Sequence, residues 1–293
     1  MWSIRAMTTS EFNSGPADEF WSELVKCQRM HEVRLEKVDA GNLSVCGIGC
    51  LTDPKNQGYQ PRVAWLKQRF AEGLRFLLFR DEKGKPLAFL EYVPGEYAWR
   101  PVDAKGWLFI HCLWVYPSGQ KVAGLGSRLI RACIEEACEA GAQGVATLAS
   151  DGAWMAGKDV FLKNGFEEIA EVDRFQLLIH RLKKGPAPRF RDISGNLAKF
   201  QGLHIVYSPQ CPMLPKSVND LSIMAADHGL EVKVTVLNSA REAQNAPSYY
   251  GVFALVWNGR LLSDHYVSQG RFRNILRKEI RQEEKHGIKD IST

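Results

Sequence analysis

From Trp107 to Tyr116 the chain holds a single histidine among apolar, aromatic and thiol side chains. Such a run, with almost no polar alternation, reads as a strand covered on both faces. It leads into Pro117-Ser118-Gly119-Gln120-Lys121-Val122-Ala123-Gly124-Leu125-Gly126-Ser127. Leu129, Cys133 and Ala137 then follow at i, i+4 and i+8, the spacing of one helix face over 125–140. Strand, glycine turn and helix in succession demand an α/β or α+β fold. At such a turn the backbone N–H groups lack intrahelical partners, and the helix dipole adds partial positive charge. The place therefore suits a phosphate. Gly124 and Gly126 let a pyrophosphate approach the backbone closely, and Lys121 adds a cation at the edge. The glycines match neither the dinucleotide nor the Walker pattern, because no third glycine and no Gly-Lys-Ser/Thr follow. A plain tight connection and an anion cradle both remain open.

The surrounding pattern builds a sheet. Helices are expected at 18–29 and 61–72, the latter with Pro61 in its first turn, Leu66 and Phe70 on one face and Gly73 at its end. Strands at 75–80 and 86–93 flank Asp81-Glu82-Lys83-Gly84, a hairpin signal. A strand at 144–149, a helix at 153–164 stopped by Gly165, and strands at 166–170 and 175–182 complete this half. Lys183-Lys184-Gly185-Pro186-Ala187-Pro188 reads as a semi-rigid spacer. The expected division is 1–184, a linker at 185–200, and 201–293. The last part reads βαβαββα: strand 204–207, helix 215–228, strand 231–237, short helix 240–245, strands 252–257 and 260–265, and helix 268–285. Asn258-Gly259 between the last two strands is a type I′ turn signal.

The segment Val115-x-Pro117, then Lys121-x-x-Gly124-x-Gly126, resembles motif A of the GNAT acyltransferases. Phe161-Leu162-Lys163-Asn164-Gly165-Phe166 is similar to that family's second signature. The resemblance spans roughly residues 1–183. It implies a mixed-sheet acyltransferase domain with acetyl-CoA, or another acyl-CoA, as cofactor. It implies cofactor contacts from Leu113, Trp114, Val115, Lys121, Val122, Ala123, Gly124, Leu125, Gly126, Ser127 and Asn164, with the pantetheine arm between splayed strands 107–116 and 144–149. Two departures stand out: Lys121 replaces the family's arginine or glutamine, and Phe161 stands where many relatives carry a proton-donating tyrosine. The second half, with Ser208-Pro209-Gln210-Cys211-Pro212 between its first strand and helix, resembles the thioredoxin fold; Leu214 occupies the position of a second thiol. The whole arrangement is similar to the YoaP-type acetyltransferases.

Acyl transfer to an amine needs the amine neutral, which a nearby base would secure. His111, inside the strand that delivers the turn, is one candidate; its other reading is a hydrogen-bonded core histidine. The loop Glu91-Tyr92-Val93-Pro94-Gly95-Glu96-Tyr97-Ala98-Trp99-Arg100 offers Glu96 or Glu91 as base and Tyr97 as acid. Glu91 and Trp99 are substrate contacts there and Arg100 a clamp for a substrate carboxylate, unless the loop simply packs on itself. Ser150 and Asp151 would face the same cleft, Asp151 alternatively capping the next helix. Cys211, at a helix N-terminus, is expected to carry a lowered pKa and to act chemically.

Composition narrows the classes. Apolar residues make up 45% and charged residues 24%, the balance of a globular chain. The net charge of +5 is too small to argue for nucleic acid. The apolar stretches fall far short of the ~20 residues of a membrane span. The opening Met1-Trp2-Ser3-Ile4-Arg5 has no apolar signal segment, so a cytoplasmic protein is expected. Seven cysteines, an odd number, suggest free thiols, with Cys133 and Cys138 read as core residues. Cys46-Gly47-Ile48-Gly49-Cys50 has no second pair to complete a zinc site, and no metal ligands are assigned. The expected function is acyl-CoA-dependent N-acylation of a small-molecule amine that can carry a thiol. The rival is a thiol-redox or soft-metal protein using Cys211 with Cys46 and Cys50 on a degenerate acyltransferase half.

Overall fold

The hairpin at residues 81–84 forms for the reason its sequence gives. Asp81 Oδ1 accepts the N–H groups of Lys83 and Lys85 at 2.9 and 2.8 Å, and Gly84 takes the left-handed φ of 76° that closes the turn. From there the architecture of the computed structural model extends outward; it describes residues 33–51, 53–116 and 124–281. The helix expected at 18–29 lies outside the described residues.

In chain order the elements are β1 (Arg34–Val38), α1 (Leu43–Cys46), α2 (Tyr59–Ala71), β2 (Arg75–Arg80), β3 (Pro86–Pro94), a 3₁₀ turn (Gly95–Tyr97), β4 (Val102–Asp103), β5 (Leu108–Val115), α3 (Leu125–Glu139), β6 (Gly144–Ala149), α4 (Asp159–Leu162), β7 (Glu167–Val172) and β8 (Phe175–Arg181). There follow β9 (Arg189–Phe190), α5 (Ser194–Leu197), β10 (Leu203–Tyr207), α6 (Leu214–Asp227), β11 (Val232–Val236), α7 (Ala240–Gln244), β12 (Phe253–Trp257), β13 (Arg260–Ser263) and α8 (Gln269–Ile275), which runs into a π-helical turn at Leu276–Ile280.

Seven strands form one mixed sheet in the order β1-β2-β3-β5-β6-β8-β7, with β5 and β6 its parallel pair and the other neighbours antiparallel. One face packs Leu77, Leu90 and Ile110 under α3, whose Leu129, Cys133 and Ala137 are buried as their spacing predicts. The other face packs Phe76, Phe89, Phe109 and Leu148 under α1 and α2. A second sheet, β11-β10-β12-β13, has β10 parallel to β11 and antiparallel to β12, and β12 antiparallel to β13. It contributes Val206, Ala254 and Val256 to the same apolar cluster as α2, so the two sheets share a core face.

The structure corrects three expectations. The run 107–116 is covered on both faces only in its first half: Phe109, Ile110 and His111 are buried, while Trp114 and Val115 are each 46% exposed. The helix expected at 153–164 shrinks to α4, because Gly152 and Gly157 precede it and Trp154 takes a left-handed φ of 71°. Within 185–200, β9 pairs with β4 and α5 forms a helical turn. Cys138 is exposed, not a core residue.

Candidate functional site

The site starts with a break in pairing. β3 and β5 run in register from Ala88↔Val115 to Glu91↔Cys112, then resume at Tyr92↔Ile110, so His111 is an extra residue bulged out of β5. On the other side β5 pairs with β6 only from Leu108↔Val145 to Ile110↔Thr147. Past the bulge β5 leaves β6, and among the described residues Leu113, Trp114 and Val115 have no strand partner on the edge toward the gap. A free strand edge of this kind offers N–H and C=O groups to an extended ligand.

The gap leads to the start of α3. Gly124, its N-cap, has φ 81° and ψ 5°, a left-handed conformation that favours glycine. Among the described residues beyond α3's own start, no atom lies within 4 Å of the place a Cβ would take, so none of them covers the N-terminus of α3 there. Gly126 brings the first turn against β5: its Cβ position is 3.5 Å from Val115 Cγ2 and 3.7 Å from Val160 Cγ2. Asn164 Nδ2 donates to Ser127 Oγ at 2.9 Å and to the Val160 carbonyl at 2.7 Å, tying α3 to α4. Lys121, Val122 and Ala123 lie outside the described residues. These features fit a pyrophosphate and a pantetheine arm: an unhindered helix N-terminus beside an unpaired strand edge.

On the α2 face of the bulge lies a second cluster. Arg62 of α2 is bonded to Glu91 of β3, with side chains 2% and 1% exposed. His111 Nε2 accepts the Trp99 N–H at 2.9 Å, and Arg100 Nη2 donates to the His111 carbonyl at 3.0 Å. Arg100 Nη1 reaches Gln210 Oε1 at 3.0 Å, and its guanidinium lies 5.3 Å from the Tyr250 ring. Half-buried Cys50, Cys112 and Cys211 stand within electrostatic reach of Arg62, the last two also of Arg100. Burial pushes the Cys50 and Cys112 thiols up to about 12.

Several expected roles change with this geometry. The lone pair that would make His111 a base is spent on Trp99. Burial, and then the neighbouring Arg100, Arg62 and Arg69, hold its pKa well below the ordinary value, so the ring is neutral. Its reading as a hydrogen-bonded core histidine is the one the structure supports. Glu91 is consumed by Arg62. Glu96 and Tyr97 are exposed on the 3₁₀ turn that follows Pro94, and Pro94 pairs with Leu108. That end of β5 is about 17 Å from Leu113 at strand rise, remote from the unpaired edge. Trp99 is fully buried, edge-on to Trp65 at 5.2 Å, and not open to a substrate. Ser150 is also fully buried, accepting from Arg174 at 3.0 Å and from the Gly152 N–H at 3.1 Å. Burial raises the Cys211 thiol despite the lowering effect of the Met213 and Leu214 N–H groups, so it is a neutral thiol, not the expected thiolate. Cys46 donates to Glu36 Oε2 at 3.2 Å and stands apart from the Cys50 surroundings. Among the described residues no group of three or more His, Cys, Asp and Glu could hold a metal ion.

Sequence reading missed Arg62, Cys112, Gln210 and Tyr250. One signal was available: Arg62, Trp65, Leu66 and Arg69 recur at i, i+3, i+4 and i+7, placing two arginines on the buried face of α2.

The relatives of this chain fall in one enzyme family. Residues 48–166 match the model of the Acetyltransferase (GNAT) family. The uncharacterized N-acetyltransferase YoaP of Bacillus subtilis (strain 168) is 31% identical over 218 residues, which are 72% of this chain and 85% of the relative. The chain belongs to the GNAT acetyltransferase family. Family membership makes it an N-acetyltransferase with acyl-CoA as its cofactor. Among solved structures, a GNAT family acetyltransferase from Brucella melitensis in complex with acetyl-CoA is 20% identical and covers 55% of this chain and 94% of its own, with a TM-score of 0.34. The PaiA N-acetyltransferase from Thermoplasma acidophilum in complex with coenzyme A is 10% identical, covers 52% and 99%, and has a TM-score of 0.38. No helix among the described residues of this GNAT chain is long and apolar enough to cross a membrane.

Proposed function

We propose that this GNAT protein acylates the amine of a small molecule, one that can carry a thiol, using the gap between β5 and β6 for the acyl donor. The observation that carries the reading is the end of β5–β6 pairing at Ile110↔Thr147, in front of an α3 whose N-cap is open. Bound there, acyl-CoA supplies the thioester whose acyl group passes to the amine. The N–H groups of Gly124 to Ser127 would hold the pyrophosphate, and the free edge of Leu113 to Val115 would hold the pantetheine arm and polarise the thioester carbonyl. Lys121, Val122 and Ala123 complete that turn in the sequence.

Proton handling differs from what the family signature suggests. Phe161 is 1% exposed and packs 5.5 Å from Phe166, so nothing at that position donates a proton. With the His111 lone pair occupied, the proton lost by the amine and the one gained by the thiolate pass through solvent or the acceptor's own groups. Fast turnover would then demand pH values where the free amine is well populated.

The rest of the chain completes the reading. Residues 1–184 would form the acyltransferase domain, 185–200 the connection and 201–293 a thioredoxin-like domain. The strand order β11-β10-β12-β13, with the first strand of the set beside both the second and the third, supports that last assignment. Its part would be to wall the acceptor side with Gln210, Cys211 and Tyr250. The test is calorimetric titration with acetyl-CoA. Wild type should bind, and Gly124→Glu, which puts a carboxylate into the pyrophosphate position, should lose at least a hundredfold in affinity. Unchanged binding would refute the site.

A further inference from the structure

The charge balance around the bulge points to the acceptor. The two other arginines that face it each have a carboxylate: Arg62 has Glu91, and Arg69 has Glu72 at 3.1 Å. Arg100, 4% exposed, has none among the described residues. Its N–H groups go to three neutral oxygens: the Trp99 carbonyl at 2.7 Å, Gln210 Oε1 at 3.0 Å and the His111 carbonyl at 3.0 Å. A buried cation without a counterion is costly, and it persists where function supplies the anion. Further donors are buried in the same cluster. Gln210 Nε2, on a residue 6% exposed, and Arg62 Nε and Nη1, on a residue 1% exposed, have no hydrogen-bond partner among the described residues.

The place is reachable and correctly located. Cys50, Cys112 and Cys211 are each partly exposed and stand within electrostatic reach of Arg62, so the cluster borders solvent on the thiol side. Cys112 directly precedes Leu113, the first residue of the free β5 edge, and Arg100 is bonded to the bulge itself. The wall is composite. Gln210 and Cys211 come from the loop before α6, and α2 is pressed against that loop so closely that a Cβ on Gly58 would fall 1.7 Å from the Pro212 carbonyl oxygen.

We infer that the acceptor is an amine bearing a single carboxylate, received by Arg100 with Gln210 and Arg62 in a thiol-walled recess between the two sheets. The inference rests on the acyltransferase reading above. One positive charge left uncompensated by the described residues calls for a monoanion; a dianionic phosphate would leave a negative charge unpaired. A planar carboxylate also matches the guanidinium fork.

The test uses the full chain and product-like probes. A panel of N-acetyl-α-amino acids is compared with the same amides lacking the carboxylate, such as N-acetylalanine against N-ethylacetamide. Binding is read by saturation-transfer NMR, and protection of Cys211 and Cys112 from iodoacetamide by peptide mapping. At least one carboxylate member should bind tenfold or more above its decarboxylated partner and slow alkylation of both thiols. Arg100→Gln should abolish that preference while acetyl-CoA affinity stays within twofold. The alkylation readout on wild type stands even if that variant does not fold. Equal binding within every pair, no binding by any carboxylate, or no protection of the thiols overturns the inference. Failure of acetyl-CoA to bind wild type is a separate result and would sink the acyltransferase reading instead.

Discussion

Replacing His111 with glutamine should remove a defined part of this protein's acid sensitivity. The imidazole accepts the Trp99 N–H through Nε2, carries its proton on a buried Nδ1 with no partner among the described residues, and faces Arg100, Arg62 and Arg69. Protonation would break the Trp99 bond and place a fourth cation among three guanidiniums, so the native state refuses the proton. The unfolded chain accepts it near the ordinary value of 6.5. Below that value the unfolded state binds more protons than the native one, and stability falls as the pH falls, by up to about 1.4 kcal/mol per pH unit. Above it the contribution is complete and flat. Between about pH 7.5 and about pH 5 the loss assigned to this one ring is about 2 kcal/mol. The assay is urea unfolding followed by tryptophan fluorescence across that range. Glutamine keeps an acceptor for Trp99 and does not titrate, so the difference between the wild-type and His111→Gln curves should be level above about pH 7 and open by about 2 kcal/mol at the acid end. Parallel curves would mean that the ring is charged or solvated in the native state, and the argument for its neutrality fails.

Two further outcomes follow from burial. Arg62→Met strands the Glu91 carboxylate inside the protein and should cost about 3–5 kcal/mol in chemical denaturation, whereas Arg62→Met combined with Glu91→Leu should recover most of it; additive losses would show that the two groups do not act as a pair. Under native conditions iodoacetamide should label Cys138 well before Cys133, which is wholly buried under the sheet, and peptide mapping that finds equal rates would contradict the packing of α3.

What the sequence disclosed is the part governed by local chemistry. The Asp81–Gly84 hairpin, the burial stripe of α3 and the Asn258-Gly259 turn, with φ of 46° and 78°, each depend on neighbours a few residues away. The His111 bulge was not readable, because it is a property of the register between β3 and β5 and not of either strand. The same register exposes Trp114 and Val115, whose apolar character had suggested cover. Glu91 and Trp99 were assigned to a substrate from their residue types, but α2 supplies the arginine and the indole that take them into the core. The thiol cluster was invisible for a related reason: Cys50, Cys112 and Cys211 are separated by long stretches of chain, and only the folded chain brings all three near Arg62 and the last two near Arg100.

One small contact carries a larger implication. Gln244, on α7, donates its amide to the carbonyls of Glu96 and Ala98 at 2.9 and 3.1 Å, pinning from outside the stretch of backbone that presents Trp99 and Arg100. A chain cut near residue 200 would leave those carbonyls without their clamp and strip the apolar cover from α2. The C-terminal third is thus an integral brace rather than a detachable passenger, and exchanging it for the equivalent piece of a relative should retune what the catalytic half accepts without any change inside that half.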